Sequence, residues 1–70
     1  MDFIKANVVA NKAVSSMFGH KKMLKKGNMT PEMLLKRQEI IDDTVALMEA
    51  KARFGLDVHV SGTIYGKYAN

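Results

Sequence analysis

The chain has 70 residues, of which 47% are hydrophobic and 26% charged, and its formal net charge is +4. This composition excludes a disordered or fibrous chain and is typical of one small globular domain spanning residues 1–70. Cysteine is absent, which excludes disulfides and thiol chemistry, and two histidines alone do not indicate a structural zinc site. Because a core of this size is marginal, association with a partner is the remaining source of added stability.

An amphipathic helix is predicted over residues 3–18. Its apolar side chains recur at helical spacing and form one broad face, made of Phe3, Ala6, Val9, Ala10, Ala13, Val14, Met17 and Phe18. Ile4 and Val8 fall on the opposite, polar side of this helix. Asp2 is the predicted N-cap, and Gly19 is the residue that the pattern places just after the end of the helix.

A basic connector, residues 19–29, follows the first helix. The chain is basic over residues 1–28, with six lysines against Asp2 alone, and slightly acidic over residues 29–70, with five basic and six acidic residues. The basic excess is greatest at Lys21, Lys22, Lys25 and Lys26. Such asymmetry favours a polyanionic partner, and we hypothesise that these lysines contact one. The alternative interpretation is a solvated, lysine-rich loop.

A long helix is predicted over residues 31–54, and its ends carry the strongest local signals in the chain. Thr30 is a predicted N-cap, Pro31 suits the first helical position, and Gly55 is expected to end the helix. One apolar stripe runs along it, made of Leu34, Ile41, Val45, Met48 and Ala52. At about 1.5 Å per residue the helix would be roughly 36 Å long, so we expect a partner to cover part of this stripe.

A β segment is predicted over residues 56–68. Leu56, Val58 and Val60 alternate with polar residues, as in a half-buried strand, and Ser61-Gly62 is compatible with a tight turn. The predicted fold is therefore α+β: a two-helix antiparallel hairpin followed by a C-terminal β-hairpin or extended β-tail. The free strand edges would accept a strand from a partner.

No residue pattern indicates catalysis. Asp42 and Asp43 are adjacent on a helix and point about 100° apart, so we interpret them as part of a solvated face. Asp57, His59 and Ser61 would share one face of the predicted strand, but such a run lacks the oxyanion hole and pocket of a hydrolase. The sequence thus predicts a protein that is not an enzyme and binds no metal or cofactor.

The predicted function is a non-catalytic protein-binding, assembly or regulatory module that binds a protein partner or a second copy of itself. Proteins of this size and composition are typical of phage and bacterial accessory proteins, and a cytoplasmic location is expected because no signal sequence or long apolar run is present. Membrane binding is not expected. The predicted partner-binding residues are Val9, Met17, Leu34, Ile41, Val45 and Met48.

The alternative prediction is a small basic nucleic-acid-binding protein. Two helices, a basic connector and a β-hairpin follow one another in the order seen in winged-helix domains. Tyr65, Lys67 and Tyr68 would then belong to the wing, and the Lys21–Lys26 cluster would contact phosphates. The acidic outer face of the predicted helix 31–54 argues against its use as a recognition helix.

Overall fold

The computed structural model describes residues 3–68 and shows three α-helices over this range. The helices are α1 (Phe3–Met17), α2 (Pro31–Phe54) and α3 (Val60–Tyr68), and a single 3-10 turn, Lys26–Asn28, lies in the connector. The principal dimensions are 36 × 20 × 16 Å, so the longest dimension matches the length of α2. The N-cap predicted at Asp2 lies outside the described residues.

The ends of α2 are fixed by local chemistry that the sequence predicts. The Thr30 side chain accepts a hydrogen bond from the Met33 N–H at 3.2 Å, which satisfies one of the unpaired donors of the first turn. Pro31 occupies the first helical position, where its missing N–H leaves no hydrogen bond unmade. At the other end Gly55 is left-handed, with φ 64° and ψ 33°, and its N–H and that of Leu56 both point to the Lys51 carbonyl.

Replacement of Gly55 tests the importance of this helix end. Gly55→Ala is expected to lower the free energy of unfolding by about 1 kcal/mol, because an L side chain is strained at positive φ. Nothing would lie within 4 Å of the added methyl group, so the effect reports backbone strain alone. The matched control is Gly27→Ala, which also meets open space but has no positive φ. Urea unfolding followed by circular dichroism measures both, and equal effects would contradict the assignment.

The three helices pack side by side, with α2 antiparallel to the other two. Lys5 of α1 lies beside Met48 and Ala52 of α2, whereas Asn11 reaches back to Arg37. In the same way α3 begins beside Met48 and ends beside Asp43. The core between them is made of Ala6, Val9, Ala10, Ala13, Val14, Met29, Met33, Ile40, Val60, Ile64 and Tyr68. The alanines of α1 are small and allow the helices to approach closely.

The prediction of a C-terminal β segment over residues 56–68 is wrong, and the α+β fold class is wrong with it. Residues 60–68 form α3, and no strand is present in residues 3–68. Val60, Ile64 and Tyr68 are spaced four residues apart, which places them on one face of a helix, and they are 7%, 3% and 7% exposed. Their burial against α1 and α2 outweighs the β propensity of the surrounding residues.

His59 explains why a helix starts where the sequence suggested a turn. Its Nδ1 accepts a hydrogen bond from the Gly62 N–H at 3.3 Å, and its carbonyl accepts one from the Thr63 N–H at 2.9 Å. A Cβ atom at Gly62 would lie 2.7 Å from the same Nδ1, so the glycine permits the close approach of the imidazole. Ser61 and Gly62 therefore belong to the first turn of α3, and His59 is a structural residue that precedes it.

Candidate functional site

A polar cluster joins the end of α3 to the middle of α2. Lys67 Nζ lies 2.6 Å from Asp43 Oδ2, and the Tyr68 hydroxyl donates a hydrogen bond to the same oxygen. The Tyr68 ring is buried in the core while Lys67 stays exposed. The Asp43 side chain is 35% exposed, and its carboxylate also ties two helices together.

The ionisation of this cluster follows from its contacts. The hydrogen bond from Lys67, and then that from Tyr68, hold the pKa of Asp43 below its usual 3.8. The same contact with Asp43 raises the pKa of Lys67 above 10.5. Burial raises the pKa of Tyr68 above 10.0, and its hydrogen bond to Asp43 acts in the same direction. The cluster is thus a charged carboxylate held by two proton donors, which is a structural arrangement rather than an acid or base poised for catalysis.

The attachment of α3 is expected to weaken in acid. Because the pKa of Asp43 is lower in the folded chain, its contribution is complete above the unfolded value of 3.8 and is lost as the pH falls below it. The pKa values of Tyr68 and Lys67 are raised in the folded chain. The stability that these two groups contribute is therefore lost only as the pH rises above 10.0. We expect the urea midpoint of the wild type to fall as the pH drops below 3.8 and that of Asp43→Asn to fall less.

The control for this acid dependence is the neighbouring carboxylate. Asp42 accepts a hydrogen bond only from Gln38 of its own helix, at 3.0 Å, among the bonds found in the described residues. Asp42→Asn should therefore keep the full acid-dependent fall. The same fall in the wild type and in Asp43→Asn would show that another group causes it.

A second polar cluster joins α1 to α2. Arg37 donates to the side-chain oxygens of two asparagines on α1, from Nε to Asn11 at 2.5 Å and from Nη2 to Asn7 at 2.6 Å. The planar guanidinium suits this arrangement because its donors have fixed relative directions. Arg37 is therefore engaged within the chain, in spite of its basic character.

The connector that carries the predicted polyanion-binding lysines is anchored through Ser15. This side chain is 1% exposed, donates to the Asn11 carbonyl at 2.7 Å and accepts from the Leu24 N–H at 2.9 Å. The His20 N–H donates to the Ser15 carbonyl at 2.9 Å. The structure leaves all of the predicted lysines exposed on this anchored loop: Lys21, Lys22, Lys25 and Lys26.

Most of the predicted partner-binding residues pack in the core of their own chain or against it. Val9 is 3% exposed and packs between the helices of its own chain. The remaining predicted residues are half-buried: Met17, Leu34, Ile41, Val45 and Met48. Of these, all except Val45 pack against the core from its edge.

Large exposed apolar side chains occur at several places in the described residues, including Val8, Phe18, Met23 and Leu35, and four others lie at one end of the molecule. We call this surface the apolar end: Phe3, Ile4, Phe54 and Leu56, which are 62%, 80%, 67% and 41% exposed. They lie at the same end because α1 begins where α2 finishes. The helical periodicity of the sequence places Ile4 on the polar side of α1, which predicts that its side chain is exposed. No pattern in the sequence predicts that Ile4 lies at the end of the molecule where α2 finishes.

An open groove adjoins the apolar end and contains about 570 Å³. We call it the basic groove; its lining residues are Lys5, Met48, Lys51, Ala52, Gly55, Leu56 and Val60. They come from the first turns of α1, the last turns of α2 and the segment that leads into α3. A larger hollow of about 670 Å³ lies nearby, but all of its lining residues belong to α2, so it is the surface of one helix.

The wing expected in a winged-helix domain is absent from residues 3–68. Tyr65, Lys67 and Tyr68 lie on α3, and each contacts another helix. Lys12 lies over the Tyr65 ring at 5.4 Å from its centroid, while the other two residues hold Asp43. The winged-helix prediction is therefore wrong, whereas the exposure of the connector lysines does not depend on it.

Comparison of the chain with models of protein families, with curated proteins and with solved structures found no match. Within the described residues, no helix is both long enough and apolar enough to cross a membrane. The same range contains no cluster of three or more side chains suited to hold a metal ion.

Proposed function

We propose that this chain is a cytoplasmic, non-catalytic protein-binding module that contacts its partner through the apolar end. The observation that carries the proposal is the exposure of Phe3, Ile4, Phe54 and Leu56 at one end of a small domain. Apolar residues on a surface are common singly, but a group of large ones at one place is typical of an interaction site.

The apolar end has a suitable size for this role. An aromatic side chain presents about 150–250 Å² when fully exposed, so these side chains together expose on the order of 450 Å². That is about half of the roughly 800 Å² that each partner contributes to a standard interface. A surrounding rim of polar residues would supply the rest, as in other protein interfaces.

The titratable groups nearest to a catalytic pattern have structural roles, which supports a non-catalytic function. Asp43 accepts hydrogen bonds from Lys67 and Tyr68. The Nδ1 atom of His59 accepts the Gly62 N–H at the start of α3. Neither group can act as a base at these atoms without losing a contact that holds α3.

Photo-crosslinking tests the proposal because it captures a partner whose identity is not known in advance. Benzoylphenylalanine replaces Phe54 in one variant and Leu35 in the other, and bacterial cells that produce each variant are irradiated. Leu35 is the matched control, because it is 76% exposed on the same helix but lies near its opposite end. We expect one protein, identified by mass spectrometry, to be captured at residue 54 and not at residue 35.

A further variant makes this result specific. Ile4→Ser in the Phe54 crosslinking variant should reduce the yield, since Ile4 belongs to the same surface and is 80% exposed. Capture of a second copy of the chain would identify the module as self-assembling. Capture of the same set of proteins at both positions, or of none at residue 54, would refute the proposal.

The anchored lysine loop supports a second candidate function, binding of nucleic acid through the phosphate backbone. Four lysines are exposed within six residues, and no acid occurs between His20 and Pro31. Replacement of all four by Ala should lower the steepness of log affinity for duplex DNA against log salt by about 3.6, because each phosphate contact contributes about 0.9. The control variant combines Lys5→Ala with Lys51→Ala, at the other end of the molecule, and should leave the salt dependence nearly unchanged. An unaltered slope in the fourfold variant would exclude the loop.

A further inference from the structure

We propose that the anchored lysine loop, residues 20–28, binds single-stranded nucleic acid and that the Phe18 ring stacks on an unpaired base of the strand. The exposed lysines of the loop contact the phosphates on either side of that base: Lys21, Lys22, Lys25 and Lys26. This inference rests on the second candidate function and adds to it the class of nucleic acid and the residue that recognises it.

The positive charge of the loop is not neutralised within the described residues. No ion pair formed in residues 3–68 involves a lysine of the loop. The acid that is nearest to the loop in sequence, Glu32, is exposed and is one carboxylate against four lysines. Asp2 precedes the opposite end of α1, and residues 69 and 70 bring no acidic side chain. The loop therefore offers its charge to an external anion.

Phe18 adds an aromatic surface beside these lysines. It follows the last residue of α1, three residues before Lys21, and it is 41% exposed. The segment around it is closed by Ser15, whose carbonyl accepts the His20 N–H at 2.9 Å and whose hydroxyl accepts the Leu24 N–H at 2.9 Å. Phe18 and the first two lysines of the loop therefore lie on the same closed turn of the chain.

An exposed aromatic ring beside a basic loop favours an unpaired base as its ligand. Lysines alone contact the phosphates of duplexes and of single strands alike. In a duplex the face of each base is covered by its neighbours, whereas a single strand can turn a base out to stack on an aromatic side chain. Stacking of one base strengthens binding about fivefold or more, so the ring can distinguish a base from a bare phosphate chain.

The partial burial of Phe18 argues against insertion into a membrane. More than half of its surface is covered by the rest of the chain, since only 41% is exposed. Stacking needs one accessible face of a ring, whereas entry into the acyl boundary of a bilayer needs a side chain that projects fully. Among the described residues of the loop, Met23 is the one large apolar side chain that is exposed, at 46%, so the apolar area for a bilayer is small.

The test compares two labelled single strands of about twelve nucleotides that carry the same charge. One strand is made of thymidines, and the other of abasic sites that keep the phosphates and lack the bases. Fluorescence anisotropy should show that the wild-type protein binds the thymidine strand about fivefold more tightly, or better, than the abasic strand. Phe18→Leu keeps an apolar side chain but removes the ring, so it should bring the affinity for thymidines down to that for the abasic strand. Its affinity for duplex DNA should not change.

The matched control for Phe18→Leu is Val8→Ala. Val8 is 46% exposed, close to the value for Phe18, and it lies on α1 about 15 Å away at 1.5 Å per residue. This variant should keep the preference for thymidines.

Tryptophan fluorescence reports the stacking directly. The chain contains no tryptophan, so in Phe18→Trp all indole emission comes from this position. The thymidine strand should quench this emission at saturation, and the abasic strand should not. The emission of Val8→Trp should be unaffected by either strand. Circular dichroism confirms that each variant is folded, and Phe18→Trp should retain the preference for thymidines because it keeps an aromatic ring.

Each remaining outcome overturns the inference. Equal affinity of the wild type for both strands, or an unchanged preference in Phe18→Leu, would show that no base stacks on Phe18. A blue shift of the Phe18→Trp emission with phosphatidylglycerol vesicles, in competition with the thymidine strand, would assign the loop to a membrane surface. If the fourfold alanine variant loses its salt-dependent binding of duplex DNA while the two single strands bind the wild type equally, the second candidate function stands and this inference alone is wrong. Absence of binding to every oligonucleotide would refute both.

Discussion

Ile40→Ala is expected to lower the free energy of unfolding by about 3 kcal/mol, because it removes buried atoms and leaves a cavity that neighbours only partly fill. Ile40 is 0% exposed at the middle of α2, in a core formed by residues from all three helices. A chain of this length has a total stability of about 4–10 kcal/mol, so a large part of it depends on this side chain. Urea unfolding followed by circular dichroism provides the measurement.

Two further variants make the Ile40 result interpretable. Ile40→Val removes one methylene group and should cost about 1 kcal/mol, which tests the dependence on volume. Leu35→Ala removes a similar apolar group from the same helix, but Leu35 is 76% exposed, so its effect should lie within about 0.5 kcal/mol. A comparable loss at Leu35 and Ile40 would contradict the observed orientation of α2.

Tyr68→Ala is expected to detach α3 from the other two helices. It removes a ring that is 7% exposed and a hydroxyl that donates to Asp43, and the loss of a buried aromatic side chain costs about 3–5 kcal/mol. A helix of nine residues is not stable alone in water, so residues 60–68 should lose their helical structure when their contacts are lost. NMR amide exchange should show rapid exchange in α3 while α1 and α2 remain protected.

Tyr68→Phe separates the ring from the hydroxyl. It keeps the buried ring and removes one hydrogen bond to a charged group, which contributes about 1.5–3 kcal/mol in general and less at a partly exposed carboxylate such as Asp43. We expect α3 to remain docked in this variant with reduced protection. Undisturbed protection of α3 in Tyr68→Ala would show that Val60 and Ile64 are sufficient to hold it.

The difference between α2 and α3 shows which parts of the fold can be predicted from the sequence. The start and end of α2 depend on Thr30, Pro31 and Gly55, whose effects act within one helical turn and are visible in the sequence. In α3, Val60, Thr63 and Tyr65 favour strands and Gly62 and Gly66 weaken a helix. Its helical state depends on contacts with residues far away in the sequence, which local patterns do not contain.

The candidate site could be predicted from the sequence only in part. The periodicity of α1 places Ile4 and Val8 on the polar side, and both are exposed, at 80% and 46%. Ile4 and Phe54 lie at the same end of the molecule because α1 and α2 pack antiparallel, which the sequence does not show. Lys5 and Lys51 likewise come together only through this packing, so the basic groove has no counterpart in the linear sequence.

The anchoring of the connector by Ser15 has a consequence for the entropy of binding. The hydroxyl of Ser15 is used both as donor and as acceptor, so the backbone near Leu24 is ordered when the chain folds. Ordering one residue costs about 1–2 kcal/mol, and here that cost is met during folding rather than on binding. An anion that meets Lys21, Lys22, Lys25 and Lys26 therefore finds a charge array whose backbone is already arranged and has only the side chains to order.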